Sequence, residues 1–274
     1  MNITENKREW DGRHHWADGG DEWSAPWGGP ARQWHGSILP RLAGFLPADR
    51  ILEIACGHGR ITQYLKDACR SLMAVDLSER CVTACQKRFA DCPRMEFHLN
   101  DGKSLAVVAD QSVDLAFSFD SLVHADAQVL EAYIQQLPRI LKSEGVAFLH
   151  HSNLGEYQKM YQRIRRIPGL EGWLQRVGLL DESIHWRDWT VTAGKVERWA
   201  RENGLCCIRQ EIVRWRTRRV FNDCFSVLVP AESARAQPHQ VARNPRFMME
   251  ADNLSWLARF YDGPSAGASS SCRG

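Results

Sequence analysis

An apolar run that leads into a turn with two glycines constrains this chain more than any other feature of its sequence. Residues 51–54 form the run, Gly57 and Gly59 lie in the turn, and Ile61 and Leu65 follow at helical spacing. Glycine has no Cβ atom and tolerates positive φ, so a glycine-rich turn lets the backbone approach a ligand closely. Strand, turn and helix in this order predict a site for a nucleotide-like ligand.

Strand candidates alternate with helical stretches over the following residues. The predicted strands are residues 50–55, 71–76, 95–99, 113–119 and 145–150, and the predicted helices between them are residues 59–68, 78–90 and 127–142. Continuous apolar strands separated by helices predict a parallel sheet covered on both faces, which is the doubly wound, Rossmann-like α/β class. In such folds ligands bind in the crevice at the carboxyl ends of the strands.

The remaining segments predict further elements around this sheet. Residues 36–46, 156–167, 192–203 and 253–261 are predicted helices, and residues 205–215 and 221–229 are a predicted antiparallel strand pair that ends the sheet. Residues 168–189 have no regular pattern, and residues 231–246 are polar and predicted to be a linker. The tail from Gly263 is low in complexity and is predicted to be disordered.

These patterns divide the chain into three parts. Residues 1–35 hold five of the eleven tryptophans but too little periodicity for a core of their own, so we predict that this arm lies across the main domain as a lid. Residues 36–230 are the predicted main domain, with an inserted cap at about 155–190. Residues 231–274 are a predicted C-terminal extension.

Composition excludes several classes of protein. The net charge of +2 gives no electrostatic reason to expect a nucleic-acid or membrane partner. No apolar run approaches the ~18 residues that a membrane span needs, and the first residues lack a secretory signal. The nine cysteines are an odd number without CxxC spacing, which favours free thiols in a reducing compartment. We therefore predict a cytoplasmic protein, whose oligomeric state the sequence leaves open.

Several motifs resemble those of the class I S-adenosylmethionine-dependent methyltransferases. The first is Glu53-x-Ala55-x-Gly57-x-Gly59, followed by Asp76 at the end of the second predicted strand. Residues 100–102 (Asn-Asp-Gly) after the third strand, residues 113–116 at the start of the fourth and residues 137–145 before the fifth are also similar to the family. The resemblance covers about residues 36–230. One departure is Ala55, which stands where the family has its first glycine.

The resemblance implies S-adenosylmethionine as the cofactor and assigns residues to it. Gly57 and Gly59 would line the methionine end, Asp76 would accept hydrogen bonds from the ribose hydroxyls, and Asp101 would meet the adenine amine. The complete predicted set is Glu53, Ala55, Gly57, Gly59, Asp76, Leu77, Asp101, Gly102 and Phe119. Glu53 lies in an apolar strand, and because a buried carboxylate needs partners, its predicted role is to support the loop or the cofactor's amino group.

An NAD-dependent oxidoreductase is the main competing interpretation, because an acidic residue after the second strand also belongs to the dinucleotide-binding fingerprint. That fingerprint has a third glycine or an alanine where this chain has Arg60, Ile61 and Thr62. It also has no equivalent of the Asn-Asp-Gly turn at residues 100–102. Both differences favour the methyltransferase.

Three histidines are candidates for the general base. Transfer of a methyl group to a hydroxyl requires removal of its proton by a nearby histidine or carboxylate. His124, His150 and His151 follow predicted strand ends on the ligand side, and Asp120 is close in sequence. We predict that one of them is the base, His124 before the other two, and that Asp120 orients it. The equally weighted alternative is that these residues are ordinary polar side chains with hydrogen-bond partners at strand ends and take no part in catalysis. We predict no metal site, since these residues lack tight ligand spacing.

The predicted cap carries aromatic and basic side chains where class I enzymes insert substrate-recognition elements. We predict substrate contacts from Tyr157, Trp186 and Arg187, and His185 belongs to the same group. Such side chains suit a small polar acceptor with flat or anionic parts. The predicted function is methylation of an oxygen of a sugar or secondary metabolite in biosynthesis. Three alternatives stay open: N-methylation of a small molecule, N-methylation of an RNA whose phosphates contact the basic turn 214–219, and cofactor binding without catalysis.

Overall fold

The computed structural model describes residues 1–177, 179–180 and 186–261, and an eight-stranded sheet is the central feature of this part of the chain. The strands are β1 (Ala48–Ile54), β2 (Cys69–Asp76), β3 (Met95–Leu99), β4 (Val113–Ser118), β5 (Leu141–Ser152), β6 (Leu205–Val213), β7 (Asp223–Pro230) and β8 (Gln240–Asn244). Their order in the sheet is β3-β2-β1-β4-β5-β7-β6-β8. The predicted Rossmann-like α/β fold is confirmed.

Strand directions follow the predicted doubly wound arrangement. β1 is parallel to β2 and β4, β2 is parallel to β3, and β4 is parallel to β5. β7 is antiparallel to both β5 and β6, which confirms the predicted antiparallel pair. Because Ile54 of β1 lies beside Val75 of β2, the turn after β1 and Asp76 meet at one edge of the sheet.

Helices cover both faces of this sheet. They are α1 (Ile3–Arg8), α2 (Pro30–Gln33), α3 (Leu39–Leu42), α4 (Thr62–Leu65), α5 (Glu79–Arg88), α6 (Ala127–Ile140), α7 (Gln158–Arg165), α8 (Leu170–Arg176), α9 (Ala193–Glu202) and α10 (Phe247–Tyr261). Along β1, Ile51 belongs to the core that the arm and α10 cover, whereas Leu52 belongs to the core that α6 and α9 cover. This alternation is what a sheet buried on both faces requires.

Side-chain caps fix the start of three of the helices that follow β1. Ser78, Asp126 and Thr192 each accept a hydrogen bond from a backbone N–H in the first turn of α5, α6 and α9. Such a bond satisfies a donor that has no partner inside the helix. The caps stand at the first or neighbouring residue of the predicted helices 78–90, 127–142 and 192–203, so local sequence set these boundaries.

Two predictions about segments after β5 were wrong. Residues 168–189 were expected to be irregular, but α8 begins directly after Gly169, whose φ is +78°. Residues 231–246 were expected to be a linker, but β8 pairs in parallel with β6 along residues 209–213. The first four residues of β8 are exposed, so backbone hydrogen bonds to the sheet edge form this strand, and no alternation of apolar side chains announces it.

The arm packs against the main domain in two places, in the core and at the carboxyl ends of the strands. Trp27 is fully buried, with its ring 5.2 Å from that of Trp215, and Trp34 stacks on Tyr64 at 5.6 Å. Nearer the carboxyl ends of the strands, Ser78 donates a hydrogen bond of 2.5 Å to Asp11 of the arm. The arm is therefore joined to both the core and the ligand-binding edge of the sheet.

Two further expectations from the sequence concern the C-terminal tail and the absence of a membrane span. The tail from Gly263, predicted to be disordered, lies outside the described residues. In the described ranges no helix is both long enough and apolar enough to cross a membrane.

Candidate active site

The turn after β1 has the geometry that its glycines predicted. Gly57 and Gly59 have φ values of +56° and +84°, in the left-handed region that side chains other than glycine rarely adopt. A Cβ atom at Gly59 would lie 2.6 Å from Cε2 of Phe89, closer than packing allows. Gly59 is therefore required for the turn to pack against the segment after α5.

Asp76 supports this turn from the end of β2. Its two carboxylate oxygens accept hydrogen bonds from the backbone N–H groups of Gly57 and Ser78, both at 2.9 Å. Burial raises the pKa of Asp76 to about 6, although these backbone N–H groups oppose the shift. Each oxygen keeps lone pairs for a further donor, because a carboxylate offers about four acceptor positions.

A cavity of about 380 Å³ lies at the carboxyl ends of β1, β2 and β4, beside this turn. Predicted site residues among its lining are Glu53, Ala55, Gly57, Asp76, Leu77, Gly102, Phe119, Asp120, His124, Trp186 and Arg187. The cavity thus brings together most of the predicted cofactor, catalytic and substrate residues. Predicted residues outside the lining are Gly59, Asp101, His150, His151 and Tyr157.

Asp101 and Tyr157 have other partners. Asp101 is exposed, and its Oδ1 accepts hydrogen bonds from the backbone N–H groups of Lys103 and Ser104 at 3.0 and 2.6 Å. The hydroxyl of Tyr157 accepts a hydrogen bond of 3.1 Å from the backbone N–H of Phe221, which joins the residue before α7 to the segment before β7. His185, from the same predicted group, lies outside the described residues.

Glu53 is buried beneath the turn. Its Oε2 accepts a hydrogen bond of 2.6 Å from Thr62 at the start of α4. Burial raises the pKa of Glu53 to about 8, and the bond from Thr62 only partly opposes this. At neutral pH the carboxyl group is therefore mostly protonated and connects β1 to α4 without a net charge.

His124 is the predicted base that lines the cavity. Its Nδ1 donates a hydrogen bond to the backbone carbonyl of Trp186, which fixes the proton on Nδ1 and leaves the lone pair on Nε2. Nε2 has no hydrogen-bond partner within the described ranges. Burial, with the charge of Arg187, lowers the pKa of His124 to about 4. The ring is therefore neutral at pH 7 and can accept a proton at Nε2.

A chain of buried ionic groups forms the wall beside His124. Nη2 of Arg60 lies 3.0 Å from Asp120, and Nη2 of Arg187 lies 3.6 Å from the other oxygen of Asp120. Arg187 also donates hydrogen bonds of 3.1 Å from Nε and 2.9 Å from Nη2 to Asp223. Asp223 is fully buried and does not line the cavity. Buried Asp223 thus fixes Arg187 from outside the cavity, and Arg60 and Arg187 together fix Asp120.

His150 completes this chain and is not free to act as a base. The backbone N–H of Asp120 donates to Nδ1 of His150 at 3.0 Å, so the ring proton is on Nε2, which lies 3.2 Å from Asp223. His151 is also fully buried, with its ring nitrogens 2.8 Å from the carbonyl of Ser152 and the hydroxyl of Ser226. Asp223 and Ser226 of β7 each lie within hydrogen-bonding distance of one of these rings, so contacts distant in sequence hold both histidines in the core.

Backbone strain is concentrated at this cavity. In the described part of the chain four residues other than glycine have positive φ, and three of them, Ala55 (+61°), Asp120 (+59°) and Arg216 (+54°), line the cavity. Left-handed conformations of such residues persist only where surrounding contacts hold them, and they cluster at functional sites. For Asp120 the hydrogen bond to His150 is such a contact.

The arm covers the cavity with aromatic side chains. Trp10, Trp16 and Trp23 belong to the lining, and Trp16 stacks on His58 at 4.1 Å between ring centroids. The ring of Trp10 lies 5.2 Å from that of His124. The tryptophan content of residues 1–35 was the sequence signal for this contact. Arg60, Trp215 and Arg216 also line the cavity but were not predicted as site residues.

In the ranges that the structure describes, no three His, Cys, Asp or Glu side chains are arranged to hold a metal ion.

Comparison with known proteins identifies the kind of domain that holds this cavity. Residues 51–145 match a family model described as a methyltransferase domain. The chain is also 40% identical over 62 residues to the ribosomal RNA small subunit methyltransferase A of Geobacter metallireducens, a match that covers 22% of each chain. The chain thus matches only about a fifth of the length of that curated relative.

Two solved structures have the same fold. Magnesium protoporphyrin IX methyltransferase from Synechocystis, solved with bound S-adenosylhomocysteine, is 16% identical with a TM-score of 0.54, and the match covers 83% of this chain and 99% of that one. An S-adenosylmethionine-dependent methyltransferase from Clostridium acetobutylicum is 15% identical with a TM-score of 0.52, covering 73% and 91%. Residues 51–145 are thus a methyltransferase domain, and the two solved structures share the fold of the chain.

Proposed function

We propose that the protein transfers a methyl group from S-adenosylmethionine to an oxygen atom of a small polar molecule. One observation carries this proposal: a single cavity adjoins both the turn supported by Asp76 and the unpaired Nε2 of His124. A cofactor site and a proton acceptor in one enclosed space are what such a transfer needs.

The residues at the turn fit the cofactor. The positive φ of Gly57 and Gly59 opens the backbone to a close ligand, and Asp76 presents a carboxylate with unused lone pairs to the cavity. We assign the ribose hydroxyls to Asp76. When bound, S-adenosylmethionine supplies an electrophilic methyl group on a sulfonium. Glu53, neutral at pH 7, then supports the turn without contributing a charge.

Residues of the acceptor side would align and deprotonate the acceptor. Nε2 of His124 takes the proton of the reacting hydroxyl, and the carbonyl of Trp186 holds the ring in the required tautomer. Asp120 and Arg187, fixed by Asp223 and His150, give the acceptor polar contacts in one geometry. Exclusion of water by Trp10 and Trp16 and correct positioning contribute most of the rate in such a transfer.

The size and enclosure of the cavity support a small acceptor, such as a sugar or secondary metabolite. Its volume of about 380 Å³ is at the lower end of ligand pockets, and tryptophans of the arm cover it. The short match to a ribosomal RNA methyltransferase makes RNA the second candidate. An RNA substrate would need the arm to open and would bind with strong dependence on salt. We place the reaction in the cytoplasm, because the eight described cysteines are free.

Two measurements on the full chain test this function. Calorimetry should give binding of S-adenosylhomocysteine and none of NAD, and labelled S-adenosylmethionine with a fractionated metabolite extract should yield a labelled small product. Binding without any labelled product would favour the non-catalytic alternative. Binding of NAD in place of S-adenosylhomocysteine would contradict the proposal.

The affinity for S-adenosylhomocysteine is expected to rise about tenfold between pH 5 and pH 7 and to level off above pH 7. The reason is that Asp76, whose pKa burial raises to about 6, must be ionised to accept the ribose hydroxyls. The pKa values of Glu53 and His124, about 8 and 4, lie outside this range. Calorimetry at several pH values measures the effect. In an Asp76→Asn control the affinity should be lower and independent of pH, and the same slope in that variant would assign the titration to another group.

A further inference from the structure

The charges that line the cavity are unevenly distributed. The part around Asp120, which we call the acceptor half, is lined by Asp120, Arg60, Arg187 and Arg216. Buried Asp223 lies behind Arg187 and offsets one of the three arginines, and Asp120 offsets another. His124, in the same region, is neutral at pH 7. The acceptor half therefore keeps an excess of one positive charge.

One nitrogen of the Arg187 guanidinium, Nη1, is available to a ligand. Its Nε and Nη2 are bound by Asp223, and Nη2 also lies 3.6 Å from Asp120. Within the described ranges Nη1 has no hydrogen-bond partner, although the side chain is only 9% exposed. A guanidinium that is fixed on one edge and free on the other is prepared to bind a planar or tetrahedral anion.

Arg216 supplies the second cation. It is exposed at the rim of the cavity, and its guanidinium has no ion pair or hydrogen bond to any described residue. Its φ of +54° lies in the left-handed region, which is unfavourable for a residue other than glycine. The adjacent Trp215 is buried in the cavity wall, where the guanidinium of Arg187 lies 5.6 Å above its ring. Arg187, Trp215 and Arg216 therefore line the same cavity, with Arg216 directly after Trp215 in the chain.

We propose that the methyl acceptor carries an anionic group, a carboxylate or a phosphate, which Arg216 and Nη1 of Arg187 bind while the body of the acceptor packs against Trp186 and Trp215. This inference rests on the proposed function and adds the charge class of its substrate. The anion offsets the excess charge of the acceptor half. Because the arginines hold a group other than the reacting hydroxyl, the hydroxyl stays free to approach His124.

The test is calorimetry on the full chain saturated with S-adenosylhomocysteine, with inorganic phosphate, benzoate and uncharged benzamide as probes. Phosphate or benzoate should bind. If a carboxylate is preferred, benzamide should bind at least about tenfold more weakly than benzoate. The Arg216→Gln variant should bind the preferred anion about tenfold more weakly than the unaltered protein does. Arg219→Gln is the matched control, since Arg219 is exposed in the same turn but does not line the cavity. Arg216 is tested in place of Arg187 because its exposed side chain leaves no buried charge unpaired when removed.

The outcomes separate this inference from the proposed function. A preference for benzoate or for phosphate identifies the anionic group as a carboxylate or a phosphate. The inference is overturned if neither anion binds better than benzamide, or if Arg216→Gln and Arg219→Gln behave alike. It is also overturned if Arg216→Gln weakens S-adenosylhomocysteine itself, because the arginine then serves the cofactor's own carboxylate. Failure of S-adenosylhomocysteine to bind the unaltered protein contradicts the proposed function instead.

Discussion

Replacing Asp223 with alanine is expected to lower the free energy of unfolding by about 3–5 kcal/mol. The carboxylate is fully buried and accepts hydrogen bonds from Arg187 and His150, so its removal leaves a guanidinium in the protein interior without its nearest counter-charge. Burial alone would raise the pKa of Asp223, but the charge of Arg187 and the bond from His150 lower it to about 2. Urea denaturation followed by tryptophan fluorescence measures the loss.

The pH dependence of this loss has a definite sign. Because the pKa of Asp223 is lower in the folded protein than its ordinary value of 3.8, the stabilisation is complete above about pH 4 and disappears as the pH falls towards 2. Asp223→Asn should lose less than Asp223→Ala, since an amide keeps the shape and part of the hydrogen bonding. A double variant, Arg187→Met with Asp223→Leu, should recover much of the stability. A loss below about 1 kcal/mol in Asp223→Ala would contradict the ionic network as described.

A His124→Asn variant is expected to lower kcat by about 10²–10⁴-fold and to leave the affinity for S-adenosylhomocysteine unchanged. The asparagine amide can still donate to the carbonyl of Trp186, but it has no lone pair of comparable basicity in place of Nε2. Since burial lowers the pKa of His124 to about 4, kcat in the unaltered protein should be independent of pH near neutrality and fall only as the pH approaches 4. Turnover of labelled cofactor with the identified acceptor measures both effects.

Two controls make the result for His124 specific. His239→Ala removes an exposed histidine on the segment before β8 and should leave kcat unchanged. His150→Asn should reduce activity through the placement of Asp120 and Arg187, so its effect should appear in KM for the acceptor as well as in kcat. Full activity in His124→Asn would remove the histidine base from the mechanism and leave alignment of the acceptor as the source of the rate.

The part of the cavity beside the glycine turn was predictable because its signals are local. Gly57 and Gly59 are needed for the conformation of their own turn, and Asp76 ends the strand next to it. Parallel strands bring their carboxyl ends to one edge, so spacing along the chain was enough to place these residues together. The family motifs pointed to the same edge of the sheet.

The acceptor half could not be predicted to the same degree. His124, His150 and His151 look equivalent as residues that follow strand ends, yet only His124 lines the cavity. The difference comes from β7, whose Asp223 and Ser226 pair with the ring nitrogens of His150 and His151 from a distance of more than seventy residues in sequence. Arg60 lies in the predicted helix 59–68, but its contact with Asp120 joins residues that are 60 apart in sequence.

The sequence by itself determined the order of the strands β1 to β5 and of the helices between them, the glycine turn and the acidic residue that supports it, because each follows from backbone preferences and burial over a few neighbouring residues. Only the tertiary structure decided which histidine faces the cavity, that β8 extends the sheet, and that Arg187, Trp215 and Arg216 line the same cavity. These features depend on long-range hydrogen bonds and ion pairs between buried groups, and such pairings leave no periodic pattern in a single chain.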